Sequence, residues 1–150
     1  ISERLLPDEG ATGRFAQRVA PLLQVGDTLL LSGPVGAGKS AFARAVIRAR
    51  LGRMEDVPSP TFTLVQTYPA PDGDIWHCDL YRLTHPDEAL ELGLEEAFDT
   101  AICLIEWPDR LGDATPSAAL HLTFAAGDPA HKVSIAGNRH WQRRLQALDD

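Results

Sequence analysis

The chain has 150 residues, of which 44% are hydrophobic and 23% charged, a composition that suits one globular domain with a core of its own. Its formal net charge of −7, with no basic run, argues against tight binding to a nucleic-acid backbone through charge alone and leaves open a local basic patch or a partner that holds the nucleic acid. No apolar stretch approaches the roughly 18 residues of a membrane span and no signal peptide is visible, so the reading is of a cytoplasmic protein without a membrane partner.

Pro7-Asp8-Glu9 opens a helix that carries Phe15, Val19 and Leu22 at helical spacing. Pro21 ends or bends it, and Gly26 turns into the apolar run Asp27–Ser32, a strand of the buried parallel kind. That strand runs into Gly33-Pro34-Val35-Gly36-Ala37-Gly38-Lys39-Ser40, which fits the phosphate-binding pattern G-x-x-x-x-G-K-[ST]. Gly36 and Gly38 lack a β-carbon, so the backbone can curl round an oxyanion and aim N–H groups at it. Lys39 supplies a positive charge for the outer phosphates, and the Ser40 hydroxyl can ligate Mg²⁺. A helix over 40–51 follows, with Phe42, Val46 and Ala49 on one face and Arg44 and Arg48 on another. Strand, glycine-rich loop and helix in that order put a bound phosphate at a helix N-terminus, and the loop is read as binding a nucleotide.

After a connector over 52–58, Ser59–Tyr68 is rich in β-branched and aromatic residues and reads as a strand with Pro60 at its start. An Asp72-Gly73 turn returns it into Ile75–Leu80, making an antiparallel hairpin. Thr84-His85-Pro86-Asp87 has capping-box spacing and opens a helix that stops near Gly93, with a short helical piece over 94–98. Ala101–Ile105 is a further buried strand ending in Glu106, and Trp107-Pro108-Asp109-Arg110 is the loop after it. Two strands, 119–124 and 132–136, join around Gly127-Asp128-Pro129, and a helix over 139–148 carries Trp141, Leu145 and Leu148 on one face. Cys78 and Cys103 lack metal-site spacing and read as reduced, buried thiols.

A phosphate loop needs a carboxylate for its Mg²⁺ and a polar group to position the attacking water. Two acids end strand-like runs, Asp79 and Glu106, and both can face the crevice that holds Lys39, because ligands gather at the carboxyl ends of parallel strands. Five apolar residues before it favour Glu106 for the metal and leave Asp79 the water; the reverse assignment stays open. His77, two residues before Asp79 on the same strand face, reads as a structural histidine within reach of the site. Thr61 is a candidate for a Mg²⁺-sensing hydroxyl, Arg82 and Arg110 for charge-stabilising fingers, and Trp107 for either core filler or a platform beside the nucleotide.

The motif order Gly33-x-x-Gly36-Ala37-Gly38-Lys39-Ser40, Ser59-Pro60-Thr61-Phe62-Thr63-Leu64-Val65, His77-x-Asp79-Leu80-Tyr81-Arg82 and Glu106-Trp107-Pro108 resembles the TsaE (formerly YjeE) family. These are bacterial ATPases needed to make threonylcarbamoyladenosine beside the tRNA anticodon. The likeness extends to Pro7-Asp8-Glu9-x-Ala11-Thr12 and runs from about Leu5 to Pro108. It implies a three-layer α/β P-loop fold over 1–150 around a mixed, mainly parallel sheet with an antiparallel hairpin. It also implies slow hydrolysis of ATP with Mg²⁺ and a TsaB–TsaD partner that transfers the threonylcarbamoyl group to tRNA, so that the tRNA is reached through the complex. On that likeness Val35, Gly36, Ala37, Gly38, Lys39 and Ser40 bind the phosphates, Ser40 and Glu106 serve Mg²⁺, and Asp79 serves hydrolysis. Glu9 and Thr12 lie close to base or ribose, and Trp107 matches a tryptophan thought to matter for function. Val35 stands where the family usually has leucine and Ser40 where threonine is common, and basic residues are sparse around Gly127.

Two other functions compete on the residues alone. A small-molecule kinase would use the same loop but calls for an acceptor pocket and an arginine-bearing lid, and the connections here are short. A nucleotide-binding regulator without turnover would use the same cleft. A GTP switch fits poorly, since no Asn-Lys-x-Asp is found.

Overall fold

Leu29, Leu30 and Leu31 are all buried, Leu29 and Leu31 in one hydrophobic cluster and Leu30 in another. Successive strand residues point to opposite faces, so a strand apolar on both is covered on both. A computed structural model, which describes residues 2–34, 36–60, 63–127 and 130–149, makes this strand the middle of a sheet. The strands are β1 (Ser2–Leu6), β2 (Thr28–Ser32), β3 (Val65–Tyr68), β4 (Ile75–Asp79), β5 (Ile102–Glu106), β6 (Leu120–Ala125) and β7 (His131–Ala136). Among the described residues they form a seven-stranded sheet in the order β1-β7-β6-β2-β5-β4-β3. The centre is parallel, β2 pairing with β5 and β6 and β4 with β5. The margins are antiparallel, with β3 on β4 at one side and β6–β7–β1 at the other.

The helices are α1 (Glu9–Val19), α2 (Lys39–Leu51), α3 (Asp87–Glu91), α4 (Leu94–Thr100) and α5 (Arg139–Arg144). Phe15, Phe42, Val46 and Trp141 of α1, α2 and α5 pack with Leu29, Leu31, Ile102 and Leu104 on one face of the sheet. Ala89, Leu94 and Ala97 of α3 and α4, with Leu111, pack with Leu30, Cys103 and Ile105 on the other. The expected three-layer α/β architecture with its hairpin is therefore present. Phe42 is the hinge of the first layer, its ring centroid 5.5 Å from those of both Phe15 and Phe124. Asp8 caps α1, its Oδ1 accepting from the Ala11 N–H at 2.7 Å, and Pro21 falls in a 3₁₀ turn that ends the helix. Cys78 and Cys103 are buried free thiols, and burial pushes the Cys103 thiol up to about 12.

Several local expectations need correction. Of the strand expected over Ser59–Tyr68, Val65–Tyr68 is strand, Ser59, Pro60, Thr63 and Leu64 are not, and Thr61 and Phe62 lie outside the described residues. Leu64 has φ +69° and its N–H bonds to Pro60 O at 2.7 Å, so the chain turns where β propensity alone would extend it. On α2 the buried stripe is Phe42, Ala43, Val46 and Ile47, while Ala49 is exposed. At α3 the N-cap is Pro86 and the partner of Thr84 is Glu88 rather than Asp87: Glu88 Oε1 accepts from both the Thr84 hydroxyl, at 2.6 Å, and the Thr84 N–H, at 3.0 Å. The stretch after Glu106 is a kinked 3₁₀ turn over Pro108–Ala114, not an open loop. β1 carries no sequence signal of its own, because its place is set by pairing with β7 from Ser2 opposite Ile135 to Leu6 opposite His131.

Candidate active site

β2, β4 and β5 run parallel, so their carboxyl ends reach one edge of the sheet. There β2 enters the glycine-rich loop, while Asp79 ends β4 directly opposite Glu106 at the end of β5. The loop geometry depends on glycine at its first residue. Gly33 has φ +133°, and a β-carbon there would lie 2.3 Å from Phe124 O of β6. Gly36 and Gly38 also have positive φ, +87° and +109°, and Gly38 stands at the N-cap of α2. The first N–H groups of α2, which lack partners within the helix, open onto a cleft of about 600 Å³.

Lys39 is 4% exposed. Its Nζ donates to Gly33 O at 2.6 Å and sits 3.9 Å from the centroid of the Trp107 ring. Burial lowers the Lys39 pKa, and the nearby Glu106, Asp79 and Asp109 carboxylates limit the fall. Trp107 has φ +58°, an uncommon conformation for a bulky residue, directly after the strand tip; it turns the indole toward Lys39 and meets the Tyr81 ring in a tilted contact, 5.0 Å between centroids.

Glu106 is 2% exposed and both its oxygens are engaged. Oε1 accepts from the Ser40 hydroxyl at 2.8 Å, and Oε2 from His77 Nε2 at 2.7 Å. Burial pushes the Glu106 carboxyl up, but the hydrogen bonds from His77 and Ser40 and the Lys39 charge together outweigh it and hold the group below the usual carboxylate range. Asp79 is also buried, and its Oδ1 accepts from the Tyr81 N–H at 3.1 Å.

Residues 6–134 match the model of the family described as threonylcarbamoyl adenosine biosynthesis protein TsaE. The chain belongs to the TsaE family. The tRNA threonylcarbamoyladenosine biosynthesis protein TsaE of Rickettsia bellii is 40% identical over 139 residues, covering 93% of this chain and 96% of that one. Its counterpart in Rickettsia conorii is 44% identical over 146 residues, covering 97% and 83%. Among solved structures, the crystal structure of Bacillus subtilis YdiB superposes with a TM-score of 0.82 at 25% identity, covering 99% of this chain and 93% of that one. The resemblance read from the motifs and the α/β fold it implied are both borne out.

The cleft brings together Glu9 and Thr12 from the start of α1, Gly36, Gly38, Lys39 and Ser40 from the loop, and Asp79, Glu106 and Trp107 from the strand ends. The α1 end reaches the loop itself, since a β-carbon on Gly38 would lie 3.9 Å from the Thr12 side chain. Ala37 departs from the expected set: it is buried in the core beneath the loop, its N–H bonded to Pro34 O at 3.2 Å, and it does not line the cleft. Val35 and Thr61 lie outside the described residues. Arg82 and Arg110 are exposed and away from the cleft, with the Arg110 guanidinium 5.9 Å over the Tyr81 ring. His77 is in the site after all, on Glu106. Arg44 and His131 line the cleft without having been expected there. Arg44 could have been found, being one helical turn beyond Ser40; His131 could not, because β7 brings it in only through the sheet order.

As a metal site the cleft offers hard oxygen donors, Ser40 Oγ and Glu106 Oε1, already 2.8 Å apart. No three His, Cys, Asp or Glu side chains group for a metal among the described residues. That donor set fits Mg²⁺, which takes one or two protein oxygens and completes its shell with phosphates and water. No helix among the described residues is long and apolar enough to cross a membrane.

Proposed function

We propose that the chain is a Mg²⁺-dependent ATPase that serves threonylcarbamoyladenosine formation on tRNA in the cytoplasm, working with a TsaB–TsaD-type complex that holds the tRNA. The observation that carries this reading is the Ser40–Glu106 bond beside Lys39, at the mouth of a glycine loop that opens onto a nucleotide-sized cleft. Family membership and the kinship with the Rickettsia tRNA threonylcarbamoyladenosine biosynthesis proteins support the tRNA modification. The net charge of −7 agrees with a chain that leaves tRNA binding to its partner.

In this reading the backbone of Gly36 and Gly38, with Val35 beside them, and the first turn of α2 cradle the phosphates, while Ala37 holds the loop from beneath through its bond to Pro34 O. Lys39 gives up Gly33 O and the Trp107 face for the outer phosphate oxygens, where its charge offsets the charge that develops during transfer. Ser40 and Glu106 would hold Mg²⁺, which when bound would neutralise the phosphate oxygens. Asp79, on the neighbouring strand end, orients the attacking water and accepts its proton. Glu9 and Thr12 flank the base or ribose.

The test is phosphate release from ATP by the chain alone, with candidate small acceptors, and with the TsaB–TsaD pair. Hydrolysis stimulated by the pair and lost in Lys39→Ala is the expected result. Transfer to a small acceptor would make the chain a kinase, and tight binding without turnover in every mixture would make it a regulator.

A further inference from the structure

His77 is fully buried at a central position of β4, opposite Gln66 of β3 and Leu104 of β5. An apolar side chain is the ordinary occupant of such a place, because burying a polar ring is unfavourable unless its polar atoms are met. Here one of them is. Nε2 lies 2.7 Å from Glu106 Oε2, while Nδ1 has no hydrogen-bond partner among the described residues. With the hydrogen on Nε2, Nδ1 is the acceptor nitrogen and no N–H of the ring is left unmet. The polar content of the residue is thus spent on a single atom of Glu106.

That atom is the one Ser40 does not use. Glu106 Oε1 takes the Ser40 hydroxyl and Oε2 takes His77, so the two bonds fix the rotation of the carboxylate between α2 and β4. Remove the second bond and Oε2 is buried without a donor, free to turn toward Lys39 or Ser40. We infer that His77 is a positioning residue of the cleft: its Nε2–H clamps Glu106 Oε2 and so keeps Oε1 aimed at Ser40 and the cation the two would share. The inference rests on the Mg²⁺-nucleotide reading above and adds to it a residue that never touches the cation.

Mn²⁺, which is visible by electron paramagnetic resonance, replaces Mg²⁺ in the test, and ADP affinity is measured separately in EDTA. Wild-type protein should take up Mn²⁺ more tightly with ADP than without it. His77→Phe keeps a ring of similar size and removes the donor; it should weaken Mn²⁺ binding to the ADP-loaded protein by roughly tenfold to a hundredfold. Its ADP affinity in EDTA should be unchanged, a split that a general packing defect would not produce. His77→Gln, whose amide nitrogen stands near the position of Nε2, should recover most of the loss. If the phenylalanine variant does not fold, the amide pair asks the same question: glutamine should retain the cation, and asparagine, whose nitrogen stands near Nδ1, should not. Equal Mn²⁺ affinity in wild type and His77→Phe overturns the positioning role alone, as does equal retention by glutamine and asparagine. A wild-type chain indifferent to ADP in its Mn²⁺ uptake overturns the metal-site reading, and the role with it.

Discussion

Replacing three glycines by alanine, one at a time, should change stability in different directions, because each glycine is there for a different reason. Gly33 passes under β6 with φ +133°, and the added β-carbon would sit 2.3 Å from Phe124 O. The obstacle is backbone inside a sheet, so relief requires β6 to move away from β2 by about 1 Å, an overpacking cost of roughly 1–3 kcal/mol. Forcing alanine into that backbone conformation adds about 1–3 kcal/mol. Together Gly33→Ala should lose roughly 2–6 kcal/mol, a large part of the 5–15 kcal/mol that keeps a domain folded. Gly36 has φ +87° but nothing within 4 Å of its would-be β-carbon, so alanine there should cost only about 1–2 kcal/mol. Gly13 lies inside α1 with no positive φ and open space around it, so Gly13→Ala should gain about 0.5–1 kcal/mol from helix propensity. Urea unfolding followed by far-ultraviolet circular dichroism ranks the three directly. Gly33→Ala within about 1 kcal/mol of wild type, or Gly13→Ala below Gly36→Ala, would refute the reasoning.

Two further outcomes follow from the strand-end acids. Asp79→Ala should keep Mg²⁺-dependent ADP binding, measured by calorimetry, and lower phosphate release by at least about a hundredfold, as expected when a general base is removed; loss of the Mg²⁺-dependent binding instead would mean that Asp79 and Glu106 have exchanged roles. Glu106 titrates below its ordinary 4.5 in the folded chain, because His77, Ser40 and Lys39 outweigh its burial, so folding favours its charged form. Its contribution to stability is complete above the unfolded value and is lost as pH falls through the lower folded value. Urea midpoints of wild type should therefore fall faster than those of Glu106→Gln below about pH 4.5, and parallel curves would show that the carboxylate is not held in this way.

Much of the site was legible in the sequence because it is local. The run Gly33–Ser40 announces its own backbone: an invitation to positive φ at Gly36 and Gly38, a charge at Lys39 and a hydroxyl at Ser40 within a few residues of one another. Asp79 and Glu106 were legible by a less local rule, since an acid that ends an apolar run in a parallel sheet comes to the ligand edge. Ser59–Tyr68 shows where this kind of reasoning stops. Its β-branched residues carry the propensity of a strand, yet Leu64 takes a positive φ with its N–H on Pro60 O, and the strand begins only at Val65.

What the sequence by itself determined is the phosphate loop, the alternation of strands and helices around it, and the family whose motifs it shares. The tertiary structure alone decided which groups meet. His77 and Glu106 are 29 residues apart, and their 2.7 Å bond exists only because β4 and β5 pair in a register that sets His77 beside Leu104 and Asp79 beside Glu106. Ser40 and Glu106 are 66 apart and meet because β2 lies next to β5. β1 and His131 owe their places to β7 in the same way. Helix and turn signals are written in neighbouring residues, whereas sheet order and register are fixed by long-range pairing, and a carboxylate's partners and proton affinity follow from that pairing.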